Sequence, residues 1–109
     1  MKMPIWTTTP IEQTPELQLA TWRVFEVESE RWEGKTRHFV GYNLTEREGR
    51  VSSKIETFDK DTNKGITESG RVYELVGEPG SGSSDGMYTF NRWCKINKIT
   101  KVEDVTDSL

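Results

Sequence analysis

His38 and Cys94 are the only histidine and the only cysteine of the chain, so a catalytic dyad could be built from this one pair alone. A Cys–His pair needs the imidazole beside the thiol to hold it as thiolate. Their spacing does not place one beside the other, and the plain reading of Cys94 is a small, half-buried residue of an alternating segment. One cysteine also excludes an internal disulfide and any cysteine-based metal cluster within one chain. Glu26, Glu28 and Glu30 stand two apart and would share one face of a strand, where neighbouring carboxylates can shift each other's titration. No histidine, lysine or metal ligand accompanies them in sequence, so a solvated strand end explains them better than acid–base catalysis.

Two loops imitate ligand sites. Asp59-Lys-Asp61-Thr-Asn63 opens like a calcium loop, but its glycine comes one place late, at Gly65, and Gly70 stands where the bidentate glutamate is needed. Local side-chain to backbone hydrogen bonds account for such a turn. Gly77, Gly80 and Gly82 supply bare amides that could wrap an anion, yet no Gly-Lys-Ser/Thr follows and Glu78 and Asp85 would repel one. No cofactor and no metal is expected. The remaining constellation is aromatic and basic: His38, Arg50, Arg71, Tyr73, Tyr88 and Arg92. On one exposed face, such aromatics would stack on bases while the arginines met phosphates. In a small domain most aromatics must instead fill the core.

The elements that would position these residues are strands. Segments 17–28, 36–44, 50–58, 66–76 and 87–96 carry β-branched and aromatic residues and are divided by Gly-, Asn- and Asp-rich turns. The first reads as apolar on both sides, with Leu17, Leu19, Phe25 and Val27 on one face and Ala20, Trp22 and Val24 on the other. Trp32 is read as a lid over one end of the core, Gly34 as a residue at positive φ, and Ser69-Gly70 as a bulge or bend. The expected fold is all-β: a single small antiparallel barrel or roll of about five to six strands with little helix. Sequential strands should be neighbours. The runner-up is an open sheet packed on a helix from the tail.

A chain of 109 residues suits one domain, 1–109, with an extended N-terminal segment over 1–16, a flexible loop over 77–86 and a tail over 97–109. The tail could close as a helical turn or as an edge strand. Hydrophobic residues make up only 32%, but four Trp, four Phe and three Tyr supply apolar area that a disordered chain seldom has. Fifteen Lys and Arg against 18 Asp and Glu leave a formal net charge of −3, which argues against sequence-independent binding to a phosphate backbone. No segment has the length of an apolar membrane span or the pattern of a secretion signal, so a cytoplasmic protein is expected.

At His38-Phe-Val-Gly-Tyr42, Gly49-Arg-Val-Ser-Ser53, Phe58-Asp59 and Ser69-Gly-Arg-Val-Tyr-Glu-Leu-Val-Gly-Glu-Pro-Gly80 the chain resembles small uncharacterised bacterial proteins of similar length. The resemblance implies no activity, cofactor or site. The leading expectation is a non-catalytic binding or regulatory protein acting through a protein partner. The alternative is a single-stranded nucleic-acid-binding barrel using Arg50, Arg71, Tyr73, Tyr88 and Arg92. A third reading is a small-molecule or enzymatic pocket around His38 and Arg71.

Overall fold

The computed structural model describes residues 16–81 and 83–109. Strands β1 (Glu16–Ser29), β2 (Trp32–Asn43), β3 (Glu48–Val51), β4 (Ile55–Asp59), β5 (Lys64–Thr67) and β6 (Val72–Val76) precede helix α1 (Ser84–Ile96). Strand β7 (Ile99–Asp104) and a 3₁₀ turn at Thr106–Ser108 follow it. The expected extended segment over 1–16 lies outside the described residues except for Glu16, which opens β1.

The seven strands form one mixed sheet in the order β3-β2-β1-β6-β5-β4, with β7 on β1 beside β6. β1 pairs antiparallel with β2 along its length, while its other edge is shared between parallel β6 at Glu16–Ala20 and antiparallel β7 at Phe25–Ser29. The parallel pair corrects the wholly antiparallel expectation, and it has a topological cause. β1–β2 and β2–β3 are antiparallel, as are β6–β5 and β5–β4, so with β6 parallel to β1 the strands β3 and β4 run in the same direction. They are two halves of one extended run that bends at 52–54 and changes partners. The meander therefore has an odd number of runs, and its first and last strands meet in parallel.

That bend is also why the sheet is not a closed barrel. The Ser52 hydroxyl accepts the Phe39 N–H at 2.9 Å and donates to the Ser53 carbonyl, taking the place of a strand-to-strand bond. From Val51 to Ile55 the chain can span about 15 Å, whereas the ends of a flat row of six strands lie about 24 Å apart. The sheet must curl, but β3 and β4 do not pair.

A bulge redistributes the core. Thr21 sits at φ 46°, and the β1–β2 register slips between Ala20 and Arg23. One extra residue there reverses the alternation. Leu17, Leu19, Trp22 and Val24 consequently share one core with Phe39, Tyr73 and Leu75, while Phe25 and Val27 join Trp32, Val40, Val51, Phe90 and Trp93 beneath the helix. The expected division of these β1 side chains between two faces is corrected accordingly. Trp32 opens β2 and is buried in the core under α1.

The strand expected over 87–96 is instead the one α-helix among the described residues. The Ser83 hydroxyl accepts the Gly86 N–H at 2.8 Å, Asp85 lies in the first turn and Lys95 in the last, as the helix dipole favours. Gly86, Phe90 and Trp93 are buried at i, i+4 and i+7. The connection from β6 is thus 77–83, and Ser84–Gly86 already belong to α1. Gly34 takes a positive φ of 81° as expected, but inside β2, the β1–β2 turn being Glu30-Arg31. Ser69-Gly70, expected as a bulge or bend within one strand over 66–76, is instead the turn that divides that run into β5 and β6, with Gly70 at φ 89°. The tail resolves into an edge strand followed by a single 3₁₀ turn.

Candidate binding site on the outer helix face

The curl and the helix sort the six singled-out residues into two groups. His38, Arg50, Arg71 and Tyr73 are buried, whereas Tyr88 and Arg92 stand on the outer face of α1. They do not share one face.

His38 is a core histidine. Its Nδ1 lies 2.8 Å from the Ser52 carbonyl, which can only accept, so Nδ1 carries the proton. Nε2 then accepts the Thr36 hydroxyl at 2.8 Å. The ring is held between these partners with Trp93 at 4.7 Å, and burial pushes its pKa down to about 4, which keeps it neutral. Burial likewise raises the Cys94 thiol to about 11. With the thiol protonated and both imidazole nitrogens engaged, no thiolate–imidazole dyad exists.

Arg50 crosses the other core. Its Nε–H donates to the Tyr73 hydroxyl at 3.2 Å, and Nη1 reaches Glu46 at 3.5 Å and Glu48 at 3.7 Å. Burial raises the Tyr73 pKa against the lowering pull of Arg50, so the phenol stays protonated. The arrangement is a buried guanidinium neutralised by two carboxylates at the β2–β3 turn. Arg71 is only 4% exposed, on the turn leading into β6.

The carboxylates of β1 also find partners. Glu26 pairs with Arg37 at 3.0 Å and Lys35 at 3.8 Å, and Glu28 with Lys101 at 3.9 Å. Glu26, Glu28, Lys35 and Lys101 line a groove of about 200 Å³ with Val27, Val102 and Glu103. This cross-strand lattice of opposite charges is how a solvated sheet surface is stabilised. Among the described residues no group of three or more His, Cys, Asp or Glu could hold a metal ion. At the β4–β5 turn the Asp59 carboxylate accepts the Asp61 N–H at 2.9 Å and Asn63 adopts φ 56°, a local turn.

The outer stripe of α1 is different. Tyr88 is 64% exposed, the Arg92 guanidinium lies 6.0 Å from its ring centroid, and Asn91 and Lys95 complete the stripe one turn on. A large aromatic ring held out in water beside a cation offers area and charge at little further ordering cost. Sequence reasoning singles out Tyr88 and Arg92 but sets them on a strand; the spacing of Phe90, Trp93 and Asn97 with the Ser83 cap is the signal that points to a helix.

Fold and surface together define a mostly β protein with one helix laid on a curled, open sheet. Comparison with protein-family models, with curated proteins and with solved structures finds no match. Among the described residues no helix is long and apolar enough to cross a membrane.

Proposed function

We propose that this is a non-catalytic bacterial binding protein of the cytoplasm that acts through a protein partner docked on the outer face of α1. The observation that carries the reading is Tyr88, 64% exposed, beneath the Arg92 guanidinium. Tyr and Arg are the residue types that most often dominate binding energy at interfaces. The buried, neutral state of His38 and the raised thiol of Cys94 supply no reactive group in competition with it.

The test is affinity capture from lysate of the native host, after nuclease treatment, with the wild-type chain and a Tyr88→Ala/Arg92→Ala variant as baits. The reading expects a stoichiometric protein on the first bait and its loss from the second. Equal capture by both removes the helix face from the reading. A second reading rests on the same stripe, since Tyr88, Arg92 and Lys95 could stack on a base and meet phosphates. It expects a single-stranded oligonucleotide to quench tryptophan fluorescence in a strongly salt-dependent manner. Absence of quenching at low salt excludes it.

A further inference from the structure

The strand β7 is exposed along nearly its whole length, and among the described residues it pairs with β1 alone. Its hydrogen-bonding phase is set by the Val105 N–H, which donates to the Val24 carbonyl at 2.9 Å. In an antiparallel ladder each residue turns both backbone groups to the same side, and the side alternates. With Phe25 opposite Asp104 and Val27 opposite Val102, the bonding positions toward β1 are Glu103 and Lys101. Val102 therefore turns its N–H and C=O away from the sheet. Its side chain is 49% exposed on the face that carries buried Val27.

The charges that flank Val102 on this edge are opposite in sign. Lys101 and Glu103 flank it on the opposite face, over the groove. Glu103 stands directly across from Glu26, whose cations are Lys35 and Arg37, and no ion pair involving Glu103 occurs among the described residues. Lys101 is 78% exposed and reaches Glu28 only at 3.9 Å. The edge thus presents one weakly paired cation and one carboxylate facing a like charge.

We propose that β7 pairs antiparallel with β7 of a second copy of this chain, with the two-fold axis at Val102. The alternation restricts the register, because an outward-bonding residue must meet another. An axis at Lys101 would set lysine against lysine, and an axis at Glu103 would set glutamate against glutamate. An axis at Val102 sets Lys101 opposite Glu103 of the second copy twice over and brings the two valines together. Opposite charges directly across a pair stabilise it and like charges destabilise it. A two-fold interface needs a self-complementary patch, and this strand is one. The pairing is independent of the helix face, which lies on the β2 and β3 side of the sheet.

Sedimentation equilibrium at low salt up to about 100 µM reads the self-association directly. The wild-type chain forms a dimer. Val102→Pro, which removes an outward donor but no bond to β1, is monomeric with an unchanged circular dichroism spectrum. Lys101→Glu and Glu103→Lys each self-associate at least about tenfold more weakly, and their equimolar mixture dimerises again, to within about threefold of wild type. That rescue keeps the test decisive should the proline variant fail to fold. A wild-type monomer at every concentration, or a dimer that neither charge reversal weakens, overturns the proposal. In the first case the edge charges act only to keep chains apart.

Discussion

One face of β1 changes character halfway along. Leu17, Leu19, Trp22 and Val24 pack with Phe39, Tyr73 and Leu75, with Ile55 and Phe58 of β4 against them. Beyond Val24 the same face carries Glu26 and Glu28, paired with Arg37, Lys35 and Lys101 around an open groove. Strand and backbone are continuous; the cover is not. The curl brings β4 over one end only, and the polarity of β1 switches where that cover stops. On this face burial therefore holds the first end and short-range charge pairing the second, so perturbations of the two should differ in size and in response to salt.

The largest contrast comes from Phe39→Ala. Phe39 has no exposed surface and touches Phe58 at 6.1 Å and Tyr73 at 5.7 Å between ring centroids. Its truncation should lower the stability in urea denaturation by about 3–5 kcal/mol. A loss under about 1 kcal/mol would mean that this end is not the principal core.

Acid should come next, through His38 under the helix. Its pKa in the folded protein, about 4, lies below the ordinary 6.5, so the unfolded chain binds the proton first and stability falls as pH drops through that window. The loss should approach about 3 kcal/mol by pH 4. A His38→Gln variant should lack this component of the urea midpoint's pH dependence. An identical profile would show that the ring is not buried neutral.

Gly65→Ala tests the fit of the cover itself. A Cβ at Gly65 would fall well inside contact distance of the Phe39 ring. The expected destabilisation is about 1–3 kcal/mol, and pairing it with Phe39→Leu should recover part of it. No change in thermal midpoint would refute the close approach of β5 to β2.

The smallest effects belong to the open end and the outer helix. Glu26→Gln should cost about 1 kcal/mol or less, and the difference should shrink in high salt. Tyr88→Ala should change stability by under about 0.5 kcal/mol, because its ring is solvated. A large loss from either would place the residue in the core and break the comparison.

Much of the strand pattern is legible in the residues alone. The segment expected over 17–28 is β1, and that over 36–44 lies within β2 apart from its last residue, since β-branched and aromatic runs bounded by turn residues leave few alternatives. Gly34 and Gly70 at positive φ follow from the chemistry of glycine. The segment 87–96 reads as a strand because Tyr88, Thr89, Phe90 and Trp93 favour strands intrinsically, yet it folds as a helix. The buried period of Phe90, Trp93 and Asn97 prevails because the sheet offers that face a surface to pack on. For the residues offered as a site, the sequence marks their chemistry but not their exposure, and exposure separates Tyr88 and Arg92 from the rest.

By itself the sequence determined local quantities: the extended runs of β1 and β2, the residues suited to turns, that the chain holds one cysteine and one histidine, and that the opposite charges of Lys101 and Glu103 flank Val102. These depend on neighbours a few residues apart. Tertiary structure decided what depends on distant partners. One extra residue at Thr21 assigned β1's side chains to two cores, a three-residue bend at 52–54 made the first and last runs parallel, and the packing of α1 buried His38 while leaving Tyr88 in water. Each follows from which surfaces meet when the sheet curls, a long-range choice that period and propensity do not encode.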